Sequence, residues 1–466
     1  MTFDLVVLGG GSAGFAAAIK AAQLGASVAM INDGPLGGTC VNVGCVPSKY
    51  LVRAGELMKA ARAPYFRGIR GWAEVDGKAL MAHMRSVVEE LRRRKYADLI
   101  DYYDIKLMEG RGMLVGPGAV KVGGETVVGR KIVVATGARA VWPQIKGLEE
   151  ARRRGLAFSN EEFFSLEDLP NSVVFIGGGA ISVELGQALS RLGMETYVIY
   201  RSRLLKYEEA LVSDFIEEAL REDGVKLIRG EATAVEVKNN GVEVRAGGVS
   251  VEAEAVFVAT GRRPNVEDLG GLLKLTPEGA VEVNRRMETS VPGIYAAGDV
   301  TGGLPGGRYL ENVAARQGVV AAVNALGGSA EFDAMWAPRV VFSDPPVASV
   351  GLREEDMIRS GVGCACRLVT IDNAAAAWTS GRARGFIKIN TYPERLRLKG
   401  GRIAGALVVS PHAEELINIF ALAVRKGLTV DDIADWIPAF PSFSEALRLA
   451  ALAFTTDPTK LSCCGG

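Results

Sequence analysis

The sequence predicts an α/β protein made of two units built on one plan, with a third, α+β unit at the C-terminal end. Three observations carry this. The stretch "FDLVVLGGGSAGFAAAIKAAQLGASVAMIND" near the start recurs in diverged form as "SVVFIGGGAISVELGQALSRLGMETYVIYR", with Gly9 and Gly177 at equivalent places. Each copy is followed by a near-identical coda, "IVVATGAR" at 132–139 and "VFVATGRR" at 256–263. The chain has 466 residues and 48% hydrophobic content, too long for one ordinary domain and apolar enough for several cores.

Each copy reads as a short β-branched strand, a tight glycine turn, an amphipathic helix and a second strand. Gly9 and Gly177 allow the sharp turn, and Gly11 and Gly179 let backbone approach a pyrophosphate. Gly14 lets the first helix pack close to its strand, with phosphates at the helix N-terminus. This is the Rossmann-like dinucleotide-binding pattern, present twice. At the end of the second strand the first copy has Asn32 and then Asp33, either of which could hold an adenosine ribose. The second copy has Tyr200 in place of the expected carboxylate, with Arg201 and Arg203 next to it. Losing the carboxylate removes repulsion, and guanidiniums suit a 2′-phosphate, which favours NADPH over NADH. A solvated basic loop is the plainer alternative.

Directly after the first copy comes "GGTCVNVGCVPSKYL", with Cys40 and Cys45 behind Gly37 and Gly38. The stretch after Thr39 reads as the first turns of a helix, which places both sulfurs on one face. The positive helix end lowers a thiol pKa and favours the reactive thiolate. Cys364 and Cys366, in "GVGCACRLV", follow a strand pattern of period two and are expected as buried small residues. The two histidines, His83 on a helical segment and His412 in "SPHAEELIN", are expected at the surface or in packing. "VWPQIKGLEE" and "GRRPNVEDLGG" mark crossings between units, because Pro and Gly break both periodicities.

Bulk properties exclude several classes. Equal counts of 54 acidic and 54 basic residues argue against a nucleic-acid surface or a polybasic membrane face. No apolar run is long enough to cross a bilayer. The apolar start lacks the basic leader of a signal peptide. Six cysteines in so long a chain make no disulfide scaffold and point to a reducing, cytoplasmic compartment.

"GGTCVNVGCVPSK", the doubled glycine fingerprint, "ATGRRPN" at 259–265 and "IYAAGD" at 294–299 resemble the FAD-dependent pyridine nucleotide-disulfide oxidoreductases. The resemblance covers nearly the whole chain. It implies an FAD-binding domain at 1–149 and 266–336, an NAD(P)H-binding domain at 150–265 and an interface or dimerisation domain at 337–466. FAD would lie on Gly9, Gly11, Gly14, Asn32, Thr39, Lys49, Gly112, Gly137 and Asp299. NADPH would lie on Gly177, Gly179, Glu184, Arg201, Arg203 and Gly261. Cys45 would lie against the flavin, Cys40 would face the substrate, and Lys49 would pair with Glu184. Active sites would be shared across a homodimer.

Members of the family that reduce organic disulfides use a histidine base in a stretch like His-Pro-Thr-x-x-Glu, suited to proton transfer near working pH. Here that stretch is "FPSFSE" at 440–445, and Phe440 replaces the histidine. The chain ends in "LSCCGG". Both features resemble the mercuric reductase sub-family, except that Phe440 stands where tyrosine is usual. The small Cys-x-x-Cys metal-binding domain that often precedes the core is also not expected here.

The sub-family resemblance implies that Cys463 and Cys464 capture Hg(II) as a thiol complex and pass it to Cys40 and Cys45 of the other subunit, with Tyr96 near the metal. Soft cations prefer thiolates, and ligand exchange needs no base of the disulfide-reductase kind. Two oxidoreductase alternatives are a thioredoxin-reductase-like enzyme and a reductase of small sulfur compounds. A non-catalytic thiol protein that sequesters soft metals is the alternative of another class.

Overall fold

A computed structural model describes residues 2–63, 65–305, 308–393 and 401–462. The first sheet has seven strands. Four run parallel in the order Lys106–Glu109, Val28–Asn32, Thr2–Leu8 and Glu125–Val134. The strands Ala119–Val122 and Gly112–Gly116 extend it in antiparallel fashion. Strand Glu125–Val134 changes partner along one edge. Its first residues pair with Ala119–Val122, and its last three pair in parallel with Ile294–Ala296.

The second sheet is wholly parallel, in the order Lys226–Arg229, Glu195–Tyr200, Ser172–Ile176, Ala255–Val258 and Ala157–Phe158. Its central strands read as unbroken apolar runs because both faces are covered, and Val173, Val174 and Phe175 are fully buried. A three-stranded antiparallel sheet spanning Ala232–Lys238, Gly241–Ala246 and Val249–Ala253 belongs to the same unit. The third main sheet is antiparallel, in the order Arg339–Val341, Val347–Gly351, Ile403–Val409, Phe386–Thr391 and Ala365–Thr370. Helices Ala413–Lys426 and Ser444–Leu452 share its core. Among the described residues no helix is long and apolar enough to cross a membrane.

The repeated coda has a physical role. A Cβ on Gly9 would lie 2.3 Å from the carbonyl oxygen of Ala135, and one on Gly177 would lie 2.2 Å from that of Ala259. Both glycines have positive φ, +115° and +126°. Each "ATG" segment is therefore the chain against which its glycine turn closes. Gly14 is equally constrained, since a Cβ there would lie 1.9 Å from the carbonyl oxygen of Gly9.

Helix Cys45–Arg62 lies where the three units meet. One apolar cluster joins its Leu51 to Met81 and Met84 of helix Gly77–Arg92, to Phe175 and Leu189 of the second unit, and to Val347 and Val409 of the third. The helix touches helix Ala180–Arg191 closely, since a Cβ on Gly55 would lie 3.0 Å from the carbonyl oxygen of Ala188. Arg191 at the end of that helix bonds both Asp223 (2.6 Å) and Asp344 (2.8 Å), and all three side chains are buried.

Cys364 and Cys366 depart from expectation. They are half-buried and joined by a disulfide, and only Cys366 belongs to strand Ala365–Thr370. That strand is the last in its sheet, and its Arg367 and Leu368 are exposed, so an edge position replaces the expected burial.

Gly55→Val is expected to force the two helices apart, costing about 1–3 kcal/mol of stability by overpacking. A thermal melt of the variant against the parent, read as a fall of several degrees, checks it.

Candidate active site

The first glycine turn, the cysteine helices, the first coda and the start of helix Ala180–Arg191 wall a cavity of about 1020 Å³. It brings together Gly9, Gly11, Asn32, Thr39, Cys40, Cys45, Lys49, Gly112, Gly137, Glu184 and Asp299. Gly177, Gly179, Gly261, Arg201, Arg203 and Tyr96 do not line it. Gly179 and Gly261 stand in the second turn and its coda, where an added Cβ would meet nothing within 4 Å. That turn offers bare backbone to open space.

The expected single cysteine helix is two helices. Cys40 belongs to Gly38–Val43, and Gly44 (φ −135°, ψ −114°) ends it. Cys45 then opens helix Cys45–Arg62. A Cβ at Gly44 would lie 2.7 Å from the carbonyl oxygen of Thr39, so the break requires glycine. On one continuous helix the two side chains would point about 140° apart rather than share a face; the break lets the sulfurs meet and hydrogen-bond to each other. Only Cys45 sits at the start of a long helix, where the dipole favours a thiolate.

The pair is electrically asymmetric. Cys40 is pushed far up, first by its hydrogen bond to Cys45 and then by burial. Cys45 is held below the ordinary thiol range, first by the hydrogen bond from Cys40 and then, against burial, by the charge of Lys49. Lys49 Nζ stands 2.5 Å from Glu184 Oε2. Burial alone would lower the ammonium, but Glu184 outweighs it and keeps Lys49 above its ordinary value. The other carboxylate oxygen, Oε1, accepts the backbone N–H of Phe342 at 2.9 Å, and the ring of Phe342 lies under Lys49 with its centroid 4.7 Å from Nζ.

Tyr96 lies in a π-helical turn, Arg93–Ala97, a local distortion frequent at functional sites. Its ring meets Phe15 edge-on at 4.9 Å. The hydroxyl is pushed up to about 12, first by burial and then by Cys40. It is therefore a neutral phenol close to Cys40.

Four contributors were not singled out from the sequence. Arg262, from the second coda, donates to the carbonyl of Ala138 and to Thr39 Oγ1 (3.3 Å) and stands 4.0 Å from Asp299. The contact with Asp299 is made by its Nε, which is buried and has no hydrogen-bond partner among the described residues. Asp299 is pushed up to about 6 by burial, which Arg262 opposes. Asn265 donates to the carbonyl of Thr136, Glu311 bears on both cysteines, and Phe342 supports the ion pair. The doubled arginine of "GRRPN" was the only sequence signal among these.

The remaining expected residues are placed as follows. Asn32 Oδ1 accepts the N–H of Gly10 (2.9 Å) and its amide donates to Gly34 (2.6 Å), so it braces the turn, with Asp33 exposed beside it. Arg203 donates to the carbonyls of Lys206 and Glu208, while Arg201 is exposed with Glu231 at 3.8 Å. His83 bonds the hydroxyl of Tyr50 (2.6 Å), and the ring of His412 lies 6.0 Å from that of Phe443. Phe440 is exposed. Cys463 and Cys464 lie outside the described residues.

Residues 3–325 match the family profile "Pyridine nucleotide-disulphide oxidoreductase", and residues 337–451 match the dimerisation domain of the same family. The chain belongs to this family. The oxidoreductase is 37% identical to a mercuric reductase from Lysinibacillus sphaericus, over 100% of this chain and 85% of the relative. It is 35% identical to one from Streptomyces lividans, over 100% and 98%. Among solved structures it is similar to the Cu(II) complex of the HOCl-induced flavoprotein disulfide reductase RclA from Escherichia coli (TM-score 0.85, 26% identity, 97% of this chain and 99% of that one). LpdA from Mycobacterium tuberculosis is comparable (TM-score 0.84, 29% identity, 97% and 99%).

Lys49→Met removes the cation that favours the Cys45 thiolate. The midpoint for alkylation of Cys45 in the reduced oxidoreductase is expected to rise by about 1–2 pH units, measured as iodoacetamide reactivity against pH.

Proposed function

We propose that this oxidoreductase reduces Hg(II) to elemental mercury with electrons from NADPH, using FAD on the first glycine turn and the nicotinamide cofactor on the second. The observation that carries the reading is the asymmetric Cys40–Cys45 pair, which opens into a cavity walled by both nucleotide-type units. Full-length likeness to mercuric reductases supports it.

The residues fit the two cofactors. Bare backbone at Gly9 and Gly11 faces the cavity, as does Gly137, and the buried Nε of Arg262, 4.0 Å from Asp299, has no hydrogen-bond partner among the described residues. These groups, with Thr39, Lys49 and Gly112, would hold FAD. Gly177, Gly179 and Gly261 would hold the nicotinamide cofactor, with Arg201 the exposed cation for a 2′-phosphate. When bound, the cofactors supply the electron pair, so that NADPH and Hg(II) become NADP+, a proton and elemental mercury.

The chain's own residues bind and position the metal. The Cys45 thiolate is ready to accept a soft cation, and Cys40 adds the second sulfur while the departing thiolate ligand takes its proton. Such an exchange needs no imidazole. Lys49, locked by Glu184, keeps Cys45 charged, and the neutral Tyr96 hydroxyl remains a donor close to Cys40. Cys463 and Cys464 of the partner subunit would deliver the metal. The dimerisation-domain match supports a homodimer. A second reading, reduction of an organic disulfide, is favoured by the likeness to RclA.

Hg(II)-dependent oxidation of NADPH at one equivalent per metal tests the proposal. Its absence, together with rapid turnover of an organic disulfide, would establish the second reading instead. Cys40→Ala is expected to abolish metal-dependent turnover. Removing the last four residues should slow it most when Hg(II) arrives as a complex of small thiols. Phe440→Tyr should leave the rate unchanged or raise it.

A further inference from the structure

A second sulfur pair lies outside this cavity. Cys364 and Cys366 are on the last strand of the C-terminal sheet and immediately before it, and they are joined as a disulfide with Cα atoms 5.7 Å apart. A carboxylate oxygen of Glu354 and the two sulfurs all lie within 4.8 Å of one another, and all three residues are half-buried. Glu354 is fixed in place by Lys388, whose Nζ stands 2.5 Å away and also bonds Glu209. Lys388 is buried, so the carboxylate is held beside the sulfurs by an anchored cation. None of these residues lines the large cavity.

We propose that Cys364, Cys366 and Glu354 form, once the disulfide is opened, a separate binding site for one soft, thiophilic cation of the Hg(II) type. Two metal–sulfur bonds of about 2.3 Å each reach across about 4.6 Å, which two residues 5.7 Å apart at Cα can span with side chains on one side of the strand. Two sulfurs select a soft cation over a hard one, and the carboxylate supplies a weaker third ligand and charge. Opening the site takes two small thiols: the protein disulfide gains two electrons and two protons, and the small thiols leave as their own disulfide. Binding then exchanges two thiol protons for one divalent cation. With the disulfide closed, neither sulfur is a thiolate and the site is shut. Because none of the three residues lines the cavity, the site stores metal and does not reduce it.

The test uses the full-length holoenzyme in which Cys40, Cys45, Cys463 and Cys464 are changed to Ala, leaving only this pair. After reduction by dithiothreitol, anaerobic removal of the reductant and exposure to Hg(II), one metal per chain should survive gel filtration, falling to none in the disulfide form. Adding Cys364→Ala and Cys366→Ala should also bring it to none. Glu354→Gln should keep one metal per chain but lose it to about tenfold less competing thiol. In the otherwise unaltered enzyme, Cys364→Ala with Cys366→Ala should leave Hg(II)-dependent NADPH oxidation intact, which also shows that the fold survives. Equal retention in the disulfide form, retention after both substitutions, or retention of Zn(II) but not Hg(II) would overturn the site. Loss of NADPH oxidation in that last enzyme would overturn its separateness from catalysis.

Discussion

The ion pair between Lys49 and Glu184 is the constraint on which the site depends, because it is made by three parts of the chain at once. Lys49 comes from the helix that Cys45 begins, Glu184 from the helix after the second glycine turn, and the N–H that satisfies the second carboxylate oxygen from Phe342 in the C-terminal unit. Glu184 is almost wholly buried, so it tolerates its charge only with both partners present. Breaking such a pair from one side costs about 3–5 kcal/mol. The close approach at Gly55 and Ala188 sets the spacing of the two helices, and the ion pair sits on the same helix–helix contact one end closer to the sulfurs.

The same pair explains why two chemically identical thiols behave differently. Cys45 has the start of a long helix, the donated hydrogen bond of its neighbour and a nearby ammonium. Cys40 keeps the proton. The break at Gly44 makes this division possible, since it gives Cys45 a helix start of its own while letting the two sulfurs touch. Tyr96, in a distorted turn beside Cys40, adds a neutral polar group without adding charge.

Much of this was legible in the sequence where backbone geometry dictates residue type. The glycine turns, the codas and the sulfur pair were all readable, because only glycine suits a positive φ pressed against a carbonyl and only cysteine does thiol chemistry. What was not legible depends on contacts distant in sequence. Arg262 reaches from the second coda into the first unit, and Glu311 approaches the sulfurs from another helix. Asn32 and Asp33 were both candidate ribose ligands by position, and periodicity could not reveal that the Asn32 amide also spans Gly10 and Gly34. The helix break was missed although the spacing carried it: five positions on one continuous helix set two side chains about 140° apart, so the sulfurs meet only because Gly44 interrupts it. Cys364 and Cys366 were misjudged because a period-two pattern does not distinguish an edge strand from a central one.

The change of partner along strand Glu125–Val134 also bears on the order in which the chain becomes whole. Its final neighbour, Ile294–Ala296, is synthesised only after the entire second parallel sheet has emerged. During translation the open flank of Ile132, Val133 and Val134 must wait, with its amides and apolar side chains uncovered, while a complete second unit is made. A ribosome pausing in that interval would hold a nascent chain with an unfinished β edge, the kind of surface on which aggregation starts.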